Sequence, residues 1–147
     1  MNVHLIQINS VWEDRAANHA KARQLIASAS PQPGSLIILP ETFSTGFSMN
    51  LSVTAEPTNG PTEQFLREMA VLYQSCVIGG VVTSTEDGRG MNQALALSPD
   101  GSVLARYTKN RPFSLGGEDQ AHIAGTDVSL FEWQGLLIAP LICYDLR

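Results

Sequence analysis

What most restricts how this chain can fold is an alternation in its first half: strand-like run, helix, strand, helix, strand. Val3 to Asn9 is β-rich and mostly apolar. Asp14 to Ser30 reads as a helix, with Ala22, Leu25, Ile26 and Ala29 on one face and Arg15, Lys21 and Arg23 left for solvent. Pro31 and Pro33-Gly34 end it. Leu36 to Leu39 reads as a buried strand, closed by Pro40 and followed at once by Glu41. Thr42 to Asn59 is expected to be a long irregular loop holding Phe43, Gly46, Phe47 and Met49, and loops of that length are often functional. Pro61 suits the first turn of a second helix, with Glu63 favourable near its N-terminus and Phe65, Leu66, Met69, Leu72 and Tyr73 as its apolar stripe. Val77 to Val82 is a third strand, with Cys76 at its start as plain core. Strands separated by such helices predict an α/β fold with a parallel sheet.

The second half changes character. Glu86 to Gly90 reads as a turn, Met91 to Ser98 as a strand, Pro99-Asp-Gly101 as a tight hairpin and Ser102 to Tyr107 as the returning strand. Asn110 to Thr126, with Pro112, Gly116, Gly117 and Gly125, reads as loop. Val128 to Trp133, the turn Gln134-Gly135 and the apolar run Leu136 to Ile142 predict a last hairpin whose second arm is a buried strand ending at Cys143. These hairpins add antiparallel strands to the sheet.

Length and composition exclude several classes. The 147 residues suffice for one domain with a sizeable core, and 44% hydrophobic against 16% charged residues is globular rather than disordered. Net charge is −5 and the basic residues do not cluster, which argues against a nucleic-acid surface. No apolar run approaches the ~18 residues of a membrane span. Two cysteines behind an N-terminus without signal-peptide character predict a cytoplasmic protein without disulfides. His4, His19 and His122 share no ligand spacing, so no metal is expected, and Gly116-Gly117 lacks the context of a phosphate cradle.

Three chemically apt residues each follow a predicted strand: Glu41, Lys109 and Cys143. Each alone has an ordinary reading: a loop carboxylate, a solvated lysine and a small buried thiol. Brought together at strand ends they fit one chemistry. The carboxylate takes the thiol proton, the thiolate attacks a carbonyl carbon, and the ammonium lowers the thiol pKa and stabilises the oxyanion. The backbone N–H of Tyr144, just after the cysteine, is the natural second oxyanion donor. A Cys–His alternative would use His122 with Cys143 and Asp145.

Five stretches, in order, resemble one family. Leu39-Pro-Glu-Thr-Phe-Ser-Thr-Gly-Phe47, Asn92-Gln-Ala-Leu95 with its Pro99-Asp-Gly101 hairpin, Tyr107-Thr-Lys109, Phe113-Ser-Leu-Gly-Gly-Glu118 and Leu141-Ile-Cys-Tyr-Asp-Leu-Arg147 are together similar to the nitrilase superfamily of carbon–nitrogen hydrolases, and most to its ω-amidase branch. The resemblance implies Glu41 as general base, Lys109 as oxyanion-stabilising lysine, Cys143 as nucleophile and Glu118 as a second active-site glutamate, with Phe47, Phe113 and Tyr144 at the substrate. It implies a four-layer α-β-β-α sandwich of which residues 1–147 are the N-terminal part, the family's later helix and strands being absent. It implies hydrolysis of a small carboxylic or 2-oxo acid amide such as 2-oxoglutaramate through a thioester, no cofactor, and a homo-oligomer in the full-length form. Asn110-Arg-Pro-Phe-Ser-Leu115 departs from the family's basic, histidine-containing form, which leaves the substrate within that class open. The competing expectation is a non-catalytic fragment that acts as an interaction module.

Overall fold

A computed structural model describes residues 1–147. Its centre is a five-stranded sheet in sequence order: β1 (Val3–Leu5), β2 (Leu36–Ile38), β3 (Cys76–Ser84), β4 (Gly90–Leu97) and β5 (Val103–Thr108). β1, β2 and β3 run parallel, as the strand–helix alternation predicts, while β4 and β5 join as the antiparallel arms of the hairpin read at Pro99-Asp-Gly101. β3 is buried along nearly its whole length, because both faces of a central strand are covered. Odd positions of β3, Val77 and Val81, enter one core with Ile37 and Leu95; even positions, Cys76 and Ile78, enter a second core with Ala94, Ala96 and Tyr107.

The first core lies under α1 (Arg15–Ala29) and α3 (Pro61–Tyr73), with the one-turn α2 (Leu51–Thr54) between them in the chain. Asp14 caps α1 by accepting the Ala17 N–H at 2.9 Å, and Ser30 ends it in the left-handed region. Inside α1 the buried face includes Asn18, whose amide bonds the Val11 backbone on both sides and donates to the Ser44 carbonyl at 2.9 Å. That ties the loop after β2 to the start of α1. Pro61 occupies the first turn of α3, whose N–H groups are capped from outside: the Glu56 carboxylate accepts Thr62 N at 2.8 Å and Thr62 Oγ1 at 2.6 Å, and pairs with Arg15 of α1.

Three expectations are corrected. The stretch Leu136 to Ile142 is not a buried strand: only Leu136–Ile138 (β7) is strand, paired with Phe131–Trp133 (β6) in a separate two-stranded sheet, and Leu137 is 71% exposed. Pro140 lacks the N–H that a continuing ladder needs. The chain therefore drops out of strand conformation and reaches Cys143 through backbone that joins no sheet. The loop Thr42 to Asn59 contains the α2 turn, and the loop Asn110 to Thr126 contains a 3-10 turn (Ser114–Gly116) and the short α4 (Glu118–Ala121). In both, polar short-range residues hide helical turns too brief to show periodicity. The observed layers are thus helices, the main sheet and the β6–β7 hairpin, with Phe131 and Ile142 packed on the second face of the sheet.

His19 makes the helical layer sensitive to acid. It stacks on Phe65 with ring centroids 4.5 Å apart, and burial, helped by Arg15 and Arg23, holds its pKa down at about 4. The fold favours neutral His19, so its contribution is complete above the ordinary imidazole range near 6.5 and is lost as pH falls from there toward 4. Part-exposure reduces the effect, and we expect about 1–2 kcal/mol less stability at pH 4.5 than at pH 7 from this group. Urea melts at both pH values check it: His19→Gln should reduce the difference, and an identical difference in that variant would remove His19 as the cause.

Candidate active site

The face of the sheet opposite the helices carries the chemistry. Register places Asn92 across from Val82, and the Lys109 N–H donates to the Asn92 carbonyl at 2.9 Å, so both residues sit on that face at the end of the parallel strands. Ligand sites of open α/β sheets lie at such ends. Glu41 reaches the same place because β3 carries Gly80 where the chain after β2 crosses over it. A Cβ there would stand 2.5 Å from the Thr42 nitrogen and 2.8 Å from the Glu41 Cα, inside backbone that cannot yield. Thr42 then turns the chain with φ +46°, a conformation that a β-branched residue adopts only under constraint.

Four side chains close a ring. Lys109 Nζ donates to Glu41 Oε1 at 2.8 Å and to Glu118 Oε2 at 2.8 Å; Asn92 Nδ2 donates to Glu41 Oε1 at 2.6 Å and to Glu118 Oε1 at 2.7 Å. The Phe113 N–H adds a third bond to Glu118, at 2.6 Å to Oε2. Lys109 and Glu118 are fully buried, whereas Glu41 keeps 19% exposure. Burial pulls the Lys109 pKa down, but hydrogen bonds and charge from the two glutamates overcome it and hold the ammonium form above its ordinary range. Burial pushes the Glu118 carboxyl up, and Lys109, the Phe113 amide and Asn92 together bring it below the usual carboxylate range. Lys109 also lies 5.4 Å from the centre of the Phe47 ring.

Cys143 and Glu41 both line a cavity of about 350 Å³ with Pro40, Gly80, Ala94 and Ile142. Cys143 is exposed and opens a 3-10 turn, Cys143–Leu146, with φ +47°. Strain of that kind concentrates at functional sites. The Asp145 carboxylate fastens the turn to the end of β5: it accepts Tyr107 Oη at 2.7 Å, Ile142 N at 3.0 Å, Asn110 N at 3.2 Å and Arg111 N at 2.9 Å. The Tyr144 ring packs 5.4 Å from the Phe113 ring, and the Phe113 and Phe47 rings both close on Gly116. Of the residues singled out in the sequence, Glu41 and Cys143 line the cavity, Lys109 and Glu118 are bound into the ring with Glu41, and Phe47, Phe113 and Tyr144 pack beside that ring and the cysteine turn.

Two details depart from expectation. Lys109 does pull the Cys143 thiol downward, but burial and the Glu41 carboxylate outweigh it, so the thiol stands above its ordinary range. Burial and the Glu41 carboxylate therefore favour the neutral thiol over the thiolate. The Cys–His alternative fails on geometry: both ring nitrogens of His122 are buried without a partner, and Asp145 is committed to Tyr107 and three backbone amides. No group of three or more His, Cys, Asp and Glu side chains gathers as a metal site, and no helix is long and apolar enough to cross a membrane. Asn92 carries no role legible in the sequence, and Asp145 reads there only as a histidine partner. An asparagine inside an otherwise apolar strand is the available signal, since buried amides require partners.

Mixed sheet, strained cysteine turn and carboxylate–ammonium ring define an α/β protein whose groups suit acyl transfer. Its sequence matches the carbon-nitrogen hydrolase family over residues 2–147, and the chain belongs to that family. It is 37% identical over 147 residues to the omega-amidase YafV of Yersinia enterocolitica, covering 100% of this chain and 56% of that protein. To the omega-amidase NIT2 of Homo sapiens it is 28% identical over 150 residues, covering 97% of this chain and 53% of the relative. A CN-hydrolase superfamily protein from Xanthomonas campestris, solved with an arsenic adduct in its active site, superposes with TM-score 0.89 and 35% identity over 99% of this chain and 54% of that one. The chain spans about half the length of the curated relatives it matches.

Proposed function

We propose that the protein hydrolyses the amide of a small carboxylic or 2-oxo acid, of the 2-oxoglutaramate kind, to acid and ammonia through a Cys143 thioester. The observation that carries this reading is the closed ring of Glu41, Lys109, Glu118 and Asn92 beside a cavity that Glu41 shares with an exposed, strained cysteine. As the Cys143 sulfur bonds the amide carbonyl carbon, Glu41 takes the thiol proton. Negative charge passes to the carbonyl oxygen, where the remaining N–H of the Lys109 ammonium and the Tyr144 backbone N–H receive it. The C–N bond breaks as Glu41 returns the proton to the leaving nitrogen, which departs as ammonia. Water, deprotonated by Glu41, then attacks the thioester and releases the acid and the thiol. Glu118 holds Lys109 in place, and Phe47, Phe113 and Tyr144 wall the substrate.

Relatives named as omega-amidases, and a 2-oxoglutaramate amidase of Bacillus subtilis at 25% identity, support this substrate class. We further propose a cytoplasmic enzyme, in keeping with two free cysteines, that acts as a homo-oligomer. The test uses the protein expressed from its complete gene, incubated with 2-oxoglutaramate and hydroxylamine. Hydroxamate that disappears in Cys143→Ala supports the thioester route. Absence of both ammonia and hydroxamate from a folded protein would leave the second reading, an interaction module without catalysis.

A further inference from the structure

The ring contains one member whose presence packing does not explain. Asn92 is a strand residue at 2% exposure, on the face of β4 that also carries Ala94 and Ala96. Its Oδ1 is buried without a partner, a cost that packing alone gives no reason to bear. The orientation of the amide is forced: Nδ2 faces two carboxylates, and turning the group over would set Oδ1 against both anions. The same residue also accepts the Lys109 backbone N–H at 2.9 Å. One strand position therefore fixes the backbone of the lysine and a carboxylate oxygen of each glutamate.

This has a consequence at the level of single atoms. Glu41 Oε1 receives two donors, Asn92 Nδ2 at 2.6 Å and Lys109 Nζ at 2.8 Å, while Oε2 receives none. Glu118 has both oxygens engaged and no exposure. We infer that Asn92 is a positioning residue that pins Glu41 through Oε1 and so makes Glu41 Oε2 the atom that takes the Cys143 proton. Two glutamates of similar surroundings are thereby given different tasks: the doubly engaged Glu118 is held as an anion, and Glu41 keeps one free oxygen at the cavity. The thiol proton moves from sulfur to Oε2, the site keeps its total charge, and no new charge is created beside two carboxylates. The inference takes its reaction from the amidase reading but can be tested without turnover.

The readout is the pH dependence of Cys143 alkylation by iodoacetamide in the protein expressed from its complete gene. Cys76 serves as the silent control, being fully buried with its thiol pushed up to about 12. The groups facing the Cys143–Glu41 pair are Lys109, Glu118 and His122, so the series is repeated in His122→Gln to remove the histidine as a titrating group. Loss of the Asn92 N–H donors, or the added negative charge of an aspartate, removes support for negative charge beside Cys143 and raises its thiol further, so both substitutions move the acid limb to higher pH. Asn92→Ser, which can donate to only one carboxylate, should shift its midpoint up by about one pH unit. Asn92→Asp, nearly isosteric but without the donors and with a further charge, should shift it more. With amide substrate, kcat should fall ~10²-fold while KM holds, as for a catalytic group displaced from its geometry. If Asn92→Asp does not fold, Asn92→Ser carries the test alone.

Alkylation profiles superimposable on wild type in the folded variants would overturn the inference, since a packing role would be met by the isosteric aspartate. A shifted profile in a protein that hydrolyses no amide would uphold Asn92 and overturn the amidase reading. Unshifted profiles in a protein that does hydrolyse amides would overturn Asn92 alone.

Discussion

Replacement of Lys109 by alanine is expected to remove most amide hydrolysis and to destabilise the fold, with a pH dependence opposite to that of wild type. The catalytic loss follows from charge development: removing one positioned oxyanion donor typically costs ~10²–10³ in turnover. The stability loss follows from burial. Lys109 is 1% exposed between two carboxylates, one of them fully buried, and losing the cation from such a cluster costs about 3–5 kcal/mol at neutral pH. In wild type the Glu118 carboxyl is held below its ordinary range, so it contributes stability above that range and loses it as pH falls. Without Lys109 the buried carboxyl rises above its ordinary range, and the variant should regain stability as acid protonates it. Urea melts at pH 7 and pH 4, beside steady-state kinetics on 2-oxoglutaramate, read both effects. Lys109→Arg should restore charge but not full turnover, because a planar guanidinium does not fit where a compact ammonium packs 5.4 Å from the Phe47 ring centre. Near-wild-type turnover in Lys109→Ala with unchanged melting would end the proposed mechanism.

The ring shows which parts of a site a linear sequence exposes. Glu41, Lys109 and Glu118 stand out because a charged residue directly after an apolar run, or in a glycine-rich loop, breaks a pattern. Elements whose partners are near in sequence were equally open to reading: the Asp14–Ser30 helix with its caps, Pro61 opening α3, and the Pro99-Asp-Gly101 hairpin that sets β4 against β5. What pattern could not give was set by distant packing. The Leu136–Ile142 run has the composition of a buried strand, yet strand pairing stops at Ile138 and Leu141 is 49% exposed, because burial depends on what lies opposite. Asn92 reads as one polar residue in a strand until Glu41, 51 residues earlier, and Glu118, 26 later, close on it. Its role is a property of the register between β3, β4 and the chain after β5. Asp145 likewise gains meaning only when Tyr107 lies beneath it.

Arg106→Ala should be among the most destabilising single changes on the helical side, yet leave the cysteine chemistry alone. Glu63, read from sequence as a favourable charge at the start of α3, is in fact 2% exposed and locked to Arg106 of β5 by two bonds of 2.9 Å. Arg106 also donates to Gln93 Oε1 at 3.0 Å, which joins helix, β4 and β5 in one polar link. Truncating the arginine leaves a buried carboxylate whose only compensation is the helix N-terminus, at a cost of about 3–5 kcal/mol. For a chain of this size that corresponds to a fall in melting temperature of roughly 10 °C. A buried ion pair need not be worth more than good packing, so the double variant Glu63→Leu with Arg106→Met should recover most of the loss. The chemistry should be spared because adjacent strand residues face opposite sides: Gln93 and Arg106 lie toward the helices, Asn92 and Lys109 toward the cavity. Thermal melts and the Cys143 alkylation profile, measured on the same three proteins below their melting ranges, separate the two faces. A melting temperature unmoved in Arg106→Ala would show that water replaces the arginine at Glu63. An altered alkylation profile would show that the two faces of the sheet are coupled through Gln93 and its neighbour Asn92.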